Sequence, residues 1–111
     1  MSGITTHVLD TSRGCPAAGV PVALERAADS GWQTISHGTT DADGRATGLL
    51  SSAPREGRYR LIFDTRAYFS ATGEAALYPE VSVTFTVSPG EEHYHLPLLL
   101  SPFGYSTYRG S

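Results

Sequence analysis

The 111-residue chain reads as an all-β protein, a sandwich or barrel of short strands with one short helix. Three observations predict this. Apolar side chains recur with a period of two over most of the length, as expected for strands with one buried face. Turn signals interrupt those runs at short intervals, the spacing of a sandwich or barrel. Only the stretch from Thr65 to Ala76 lacks the alternation.

In the first strand, Ile4, Thr6 and Val8 share one face, and Thr5, His7 and Leu9 share the other. Arg13-Gly14-Cys15-Pro16 reads as a turn and Cys15 as a loop thiol. Val20, Val22 and Leu24 form a second short alternating series, closed by the turn signal Asp29-Ser30-Gly31. Trp32 to Ile35 is strand-like, and His37 just beyond it fits a solvated surface residue. Asp41-Ala42-Asp43-Gly44 is a turn that delivers Arg45 to the start of a strand, where a lone arginine reads as a surface charge. Tyr59, Leu61 and Phe63 alternate with Arg58, Arg60 and Ile62. Residues 65–76 have room for a helix of about two turns with Gly73 near its end. Val81, Val83, Phe85 and Val87 alternate with Ser82, Thr84 and Thr86, and Pro89-Gly90 closes that strand.

The segment from Glu91 to Leu100 is the most informative. Tyr94, Leu96, Leu98 and Leu100 form an apolar face, and His93, His95, Pro97 and Leu99 lie on the other. The leucine face belongs in the core. The histidine face then points to solvent or another subunit. Pro97 donates no backbone hydrogen bond, so an unpaired or edge-like partner is expected on its N side. The final segment, Ser101 to Ser111, carries Phe103, Tyr105 and Tyr108, more aromatic than a frayed end. A docked segment is expected there.

The length fits one domain spanning 1–111. A net charge of −3 argues against nucleic acid. All eight basic residues are Arg, the residue suited to planar, bidentate recognition of anions and amides. With one cysteine there is no intrachain disulfide. No apolar run approaches the ~20 residues of a membrane span, and residues 1–7 carry no export pattern, so a cytoplasmic protein is expected. The chain contains no Gly-x-Ser-x-Gly elbow, no P-loop and no dinucleotide fingerprint. Any proton chemistry therefore falls to the four histidines. His93 and His95, two apart on a strand, with His7 as a third ligand, have a spacing a zinc ion could use, but that spacing alone is weak. Neither a metal nor another cofactor is expected.

Several segments together resemble one family. They are Thr6-His7-Val8-Leu9-Asp10, Gly14-Cys15-Pro16-Ala17, Thr40-Asp41-Ala42-Asp43-Gly44-Arg45, Tyr78-Pro79-Glu80-Val81, His93-Tyr94-His95-Leu96-Pro97-Leu98-Leu99-Leu100-Ser101-Pro102 and the tail Tyr105-Ser106-Thr107-Tyr108-Arg109-Gly110-Ser111. The chain resembles the enzymatic branch of the transthyretin-like proteins, the 5-hydroxyisourate hydrolases, over nearly its whole length. The resemblance implies a two-sheet antiparallel β-sandwich of transthyretin (prealbumin) type, assembled as a homotetramer with sites at the dimer–dimer interface. It implies hydrolysis of 5-hydroxyisourate to 2-oxo-4-hydroxy-4-carboxy-5-ureidoimidazoline in urate degradation, without a cofactor. It also implies His7, Arg45 and His95 as catalytic residues, and His7, Arg45, Tyr108, Arg109, Gly110 and Ser111 as substrate-binding. His93 shares the histidine face but is not carried over as catalytic. The rival reading is a non-catalytic carrier of a small aromatic ligand on the same fold.

Overall fold

The computed structural model describes residues 3–111. The elements run β1 (Gly3–Asp10), β2 (Cys15–Pro16), β3 (Pro21–Ala28), β4 (Gly31–Thr39), β5 (Arg45–Leu50), β6 (Gly57–Phe63), α1 (Thr65–Thr72), β7 (Val81–Val87), β8 (His93–Ser101) and β9 (Gly104–Thr107). Two sheets form. One has the order β4-β3-β6-β7; the other has the order β2-β1-β8-β9, with β5 also paired to β1. Every pairing is antiparallel except β1 with β8, which is parallel from Gly3–His93 to Asp10–Leu100. The sandwich is therefore mixed rather than wholly antiparallel. Some eighty residues of chain separate these strands, enough to complete the second sheet before β8 returns alongside β1, as a parallel pair requires.

The alternation read from the sequence is the alternation of burial. Ile4, Thr6 and Val8 of β1 and Tyr94, Leu96, Leu98 and Leu100 of β8 are buried, facing Val22, Leu24, Tyr59, Leu61 and Phe63 of the second sheet. Fully burying an aliphatic side chain of this kind is worth about 1.5–3 kcal/mol. Pro97 is interior to the sheet rather than at its edge. The β8–β9 ladder nevertheless stops at Leu98–Thr107 and resumes as an isolated bridge between His95 and Gly110, so the missing N–H of Pro97 falls in the gap. Cys15 is not in a loop: the two-residue β2 pairs it with Asp10, with the thiol side exposed.

The helix is the expected one. Asp64 caps its N-terminus by accepting from the Ala67 N–H, and Gly73 closes its C-terminus. Its Tyr68 ties the helix to β1, donating to the Oδ2 of buried Asp10 at 2.6 Å. The other carboxylate oxygen accepts from the Ser12 N–H and hydroxyl and from the Arg13 N–H. Burial pushes the Asp10 carboxyl up, but the bonds from Tyr68, Ser12 and Arg13 outweigh it and hold it below the usual value. Burial and the Asp10 charge raise the Tyr68 phenol to about 12. Tyr68→Phe is expected to cost about 1–3 kcal/mol of stability in urea unfolding at neutral pH, because a buried carboxylate loses a donor. Since the native carboxyl titrates below its unfolded value, Asp10 stabilises the fold above about pH 4 and the benefit is lost as pH falls further. The penalty of the variant should shrink over the same acid range.

Candidate active site

The outer face of the β5-β1-β8 sheet gathers residues from four separate stretches of chain. His7 on β1 lies directly opposite Arg45 on β5. Thr5 on β1 lies opposite His95 on β8. Gly110 bridges to His95 from the far side, its N–H donating to the His95 carbonyl at 2.7 Å. Residues in register on neighbouring strands share a face, so Arg45 and His7 stand in one row and Thr5, His95 and Gly110 in the next. Together with Thr47, His93, Pro97, Tyr108 and Ser111 they line an open cleft of about 600 Å³.

The turn before β5 is what aims His7 and Arg45. Asp41 Oδ1 accepts from the N–H groups of Asp43 and Arg45 at 2.9 and 3.0 Å, a side chain standing in for a backbone turn. The turn leaves the Asp43 carbonyl 2.8 Å from His7 Nε2. A carbonyl only accepts, so His7 Nε2 carries the proton, and in the neutral ring the lone pair is on Nδ1.

His95 is held differently. Its Nδ1 is 2.8 Å from the Thr5 hydroxyl. The His93 ring lies parallel to it, the planes 5° apart and the centroids 6.5 Å apart. Burial, followed by the charges of Arg45, His7 and His93, lowers the His95 pKa below its ordinary value. His95 is thus a neutral imidazole at neutral pH, within reach of the Arg45 charge.

Of the residues singled out from the sequence, the structure brings His7, Arg45, His95, Tyr108, Gly110 and Ser111 into this one cleft. Arg109 is the exception. In an extended segment the residue between Tyr108 and Gly110 points the opposite way. Its guanidinium stacks 4.2 Å over the Tyr94 ring, donates to the His93 carbonyl and lies near Glu91. It does not line the cleft; it pins the tail that does. Thr5 and the Asp43 carbonyl are not among the site residues expected from the sequence. For Thr5 the signal was present, since it shares the His7 face two residues away. His93 was placed on the right face, and the structure puts it in the cleft with a buried Nδ1 that has no partner among the described residues. Among the described residues no group of three or more His, Cys, Asp or Glu side chains is arranged to hold a metal ion.

This arrangement has relatives. The profile of the HIUase/Transthyretin family matches residues 4–110. A 5-hydroxyisourate hydrolase from Salmonella dublin is 48% identical over 109 residues, covering 97% of this chain and 80% of that protein. The solved 5-hydroxyisourate hydrolase of Klebsiella pneumoniae superposes with a TM-score of 0.87 at 38% identity, covering 100% of this chain and 94% of that one. Sea bream transthyretin, solved in complex with thyroxine, superposes at 0.90 with 35% identity, covering 96% and 93%. Sandwich, cleft and similarity along almost the entire sequence converge: the chain belongs to the HIUase/transthyretin family.

Proposed function

We propose that this chain hydrolyses 5-hydroxyisourate in urate degradation, opening a ring amide to give 2-oxo-4-hydroxy-4-carboxy-5-ureidoimidazoline. The observation that carries the reading is the convergence of two imidazoles and one guanidinium, from β1, β8 and β5, in one water-accessible cleft. The relatives that match nearly the whole of this chain include enzymes of that name.

His95, held neutral, is the general base. It takes a proton from water as the water oxygen bonds to the ring carbonyl carbon, a contribution typically worth ~10²–10⁴ in rate. Arg45 offers a planar pair of donors to the substrate oxygens and to the oxyanion as it forms. The carbon–nitrogen bond then breaks, and the proton taken from water passes to the leaving ring nitrogen through the histidine pair. His7, fixed by the Asp43 carbonyl, stands across from Arg45 and completes the relay. Tyr108, Gly110 and Ser111 shape the wall. The cleft opens outward from the sheet and Tyr108 is 56% exposed, which suits closure by further copies of the chain in the tetramer that the resemblance implies.

The likeness to a thyroxine-bound transthyretin favours a second reading, a carrier with no chemistry. Ultraviolet absorbance of freshly generated 5-hydroxyisourate separates the two. The expected result is decay far faster than the spontaneous reaction, proportional to protein concentration. Decay at the spontaneous rate would leave the carrier.

A further inference from the structure

We infer that Thr5 is a positioning residue for this reaction: its hydroxyl accepts the Nδ1–H of His95 and holds the ring in the tautomer whose Nε2 lone pair opens into the cleft. The inference rests on His95 being the base.

The geometry is set by the sheet rather than by a mobile loop. Thr5 and His95 are direct partners in the parallel β1–β8 ladder, and the hydroxyl sits 2.8 Å from Nδ1. Nε2 has no protein hydrogen-bond partner among the described residues, and it is not one of their buried, unsatisfied nitrogens, so it meets the solvent of the cleft. The ring has little freedom to turn. A Cβ on Gly110 would lie 2.7 Å from His95 Cδ2, so the tail backbone is packed against that edge. The His93 ring runs parallel beside it.

A neutral imidazole can take a proton only on the nitrogen that lacks one. For Nε2 to be that nitrogen, Nδ1 must carry the hydrogen and needs an acceptor. The Thr5 oxygen is that acceptor before proton transfer, and it remains so for the imidazolium afterwards. The same logic holds where a second group fixes a histidine by its other ring nitrogen. The titratable and charged groups facing His95 are His7 from β1, Arg45 from β5, His93 on β8 and Tyr108 from the tail. None is bonded to Nδ1, so the Thr5 hydroxyl is the one hydrogen-bond partner of that nitrogen among the described residues.

Thr5→Val keeps the shape and removes the acceptor. The expected result is a fall in kcat of about tenfold with KM little changed. The acid limb of the pH–rate profile should move to lower pH, because the imidazolium loses its partner. Thr5→Ser should restore both. Nitrogen-15 spectra of the imidazole rings should show His95 as the Nδ1–H form in the unaltered protein and shifted toward the Nε2–H form in Thr5→Val. An Nε2–H tautomer in the unaltered protein would overturn the inference. So would unchanged kcat and acid limb in Thr5→Val when His95→Ala is inactive. Full turnover in His95→Ala would instead remove the general-base reading, and with it the place of Thr5 in the reaction, whatever the spectra show.

Discussion

His95→Ala is expected to lose ~10²–10⁴ in turnover on 5-hydroxyisourate while folding as well as the parent chain. The two halves of that statement come from opposite faces of one strand. The core face of β8 is Tyr94, Leu96, Leu98 and Leu100, none of which the substitution touches. The other face carries His95, whose ring contributes to the cleft and a single side-chain hydrogen bond, to Thr5. The pH dependence follows from the shift. Burial and the charges of Arg45, His7 and His93 depress the His95 pKa, so the acid limb of the parent enzyme should lie below the ordinary histidine value of 6.5. Stability carries the same signature. Between the depressed native pKa and the unfolded value, the unfolded chain binds the proton more readily. The His95 contribution is therefore complete above pH 6.5 and is lost as pH falls through that window. His95→Ala should lack that component of the pH–stability curve. Parent-like turnover in the variant, with a parent-like acid limb, would assign the base to another group.

Much of this site was legible because strands alternate. Parity alone places His7 and His95 on outward faces, since the inward positions of β1 and β8 are filled by Ile4, Val8, Leu96 and Leu98. Parity says nothing about which strands are neighbours. That β1 and β8 lie side by side, in parallel and with Thr5 opposite His95, is a long-range pairing with no local signal. It explains why Thr5, though read on the His7 face, is not linked to His95 from the sequence, and why the one parallel pair departs from the antiparallel sandwich that the resemblance implies. Arg45 shows the same limit. From its surroundings in sequence it is an exposed charge after a turn, and only its pairing with His7 makes it part of a site. Arg109 shows the converse. Its place in the tail motif pointed to the cleft, but the alternation of an extended segment turns it onto Tyr94.

Gly44→Ala should be the most damaging single-methyl change in the site, because one turn residue supports the fold and the side chains of both His7 and Arg45. Gly44 has φ of 79°, where a side chain costs roughly 1–2 kcal/mol. Its added Cβ would also lie 2.4 Å from the Val8 carbonyl oxygen and 3.1 Å from Pro16 Cβ, so backbone must move. The Gly44 carbonyl accepts from the Val8 N–H at 2.7 Å, so the movement is passed directly to β1 beside His7. The neighbouring turn atoms are those that hold His7, through the Asp43 carbonyl, and those that seat Arg45, through Asp41. A loss of about 3–5 kcal/mol in stability is expected, the range of strain at a special backbone conformation combined with overpacking. Turnover per folded molecule should fall as well. Gly48→Ala is the matched control. Gly48 has the same φ of 79° with nothing within 4 Å of an added Cβ, so it isolates the backbone term and should cost only roughly 1–2 kcal/mol. Urea unfolding of both variants, with turnover measured below the transition, makes the comparison. Equal losses at the two positions would mean that the close approach of the turn to β1 contributes nothing, and that the placement of His7 does not depend on it.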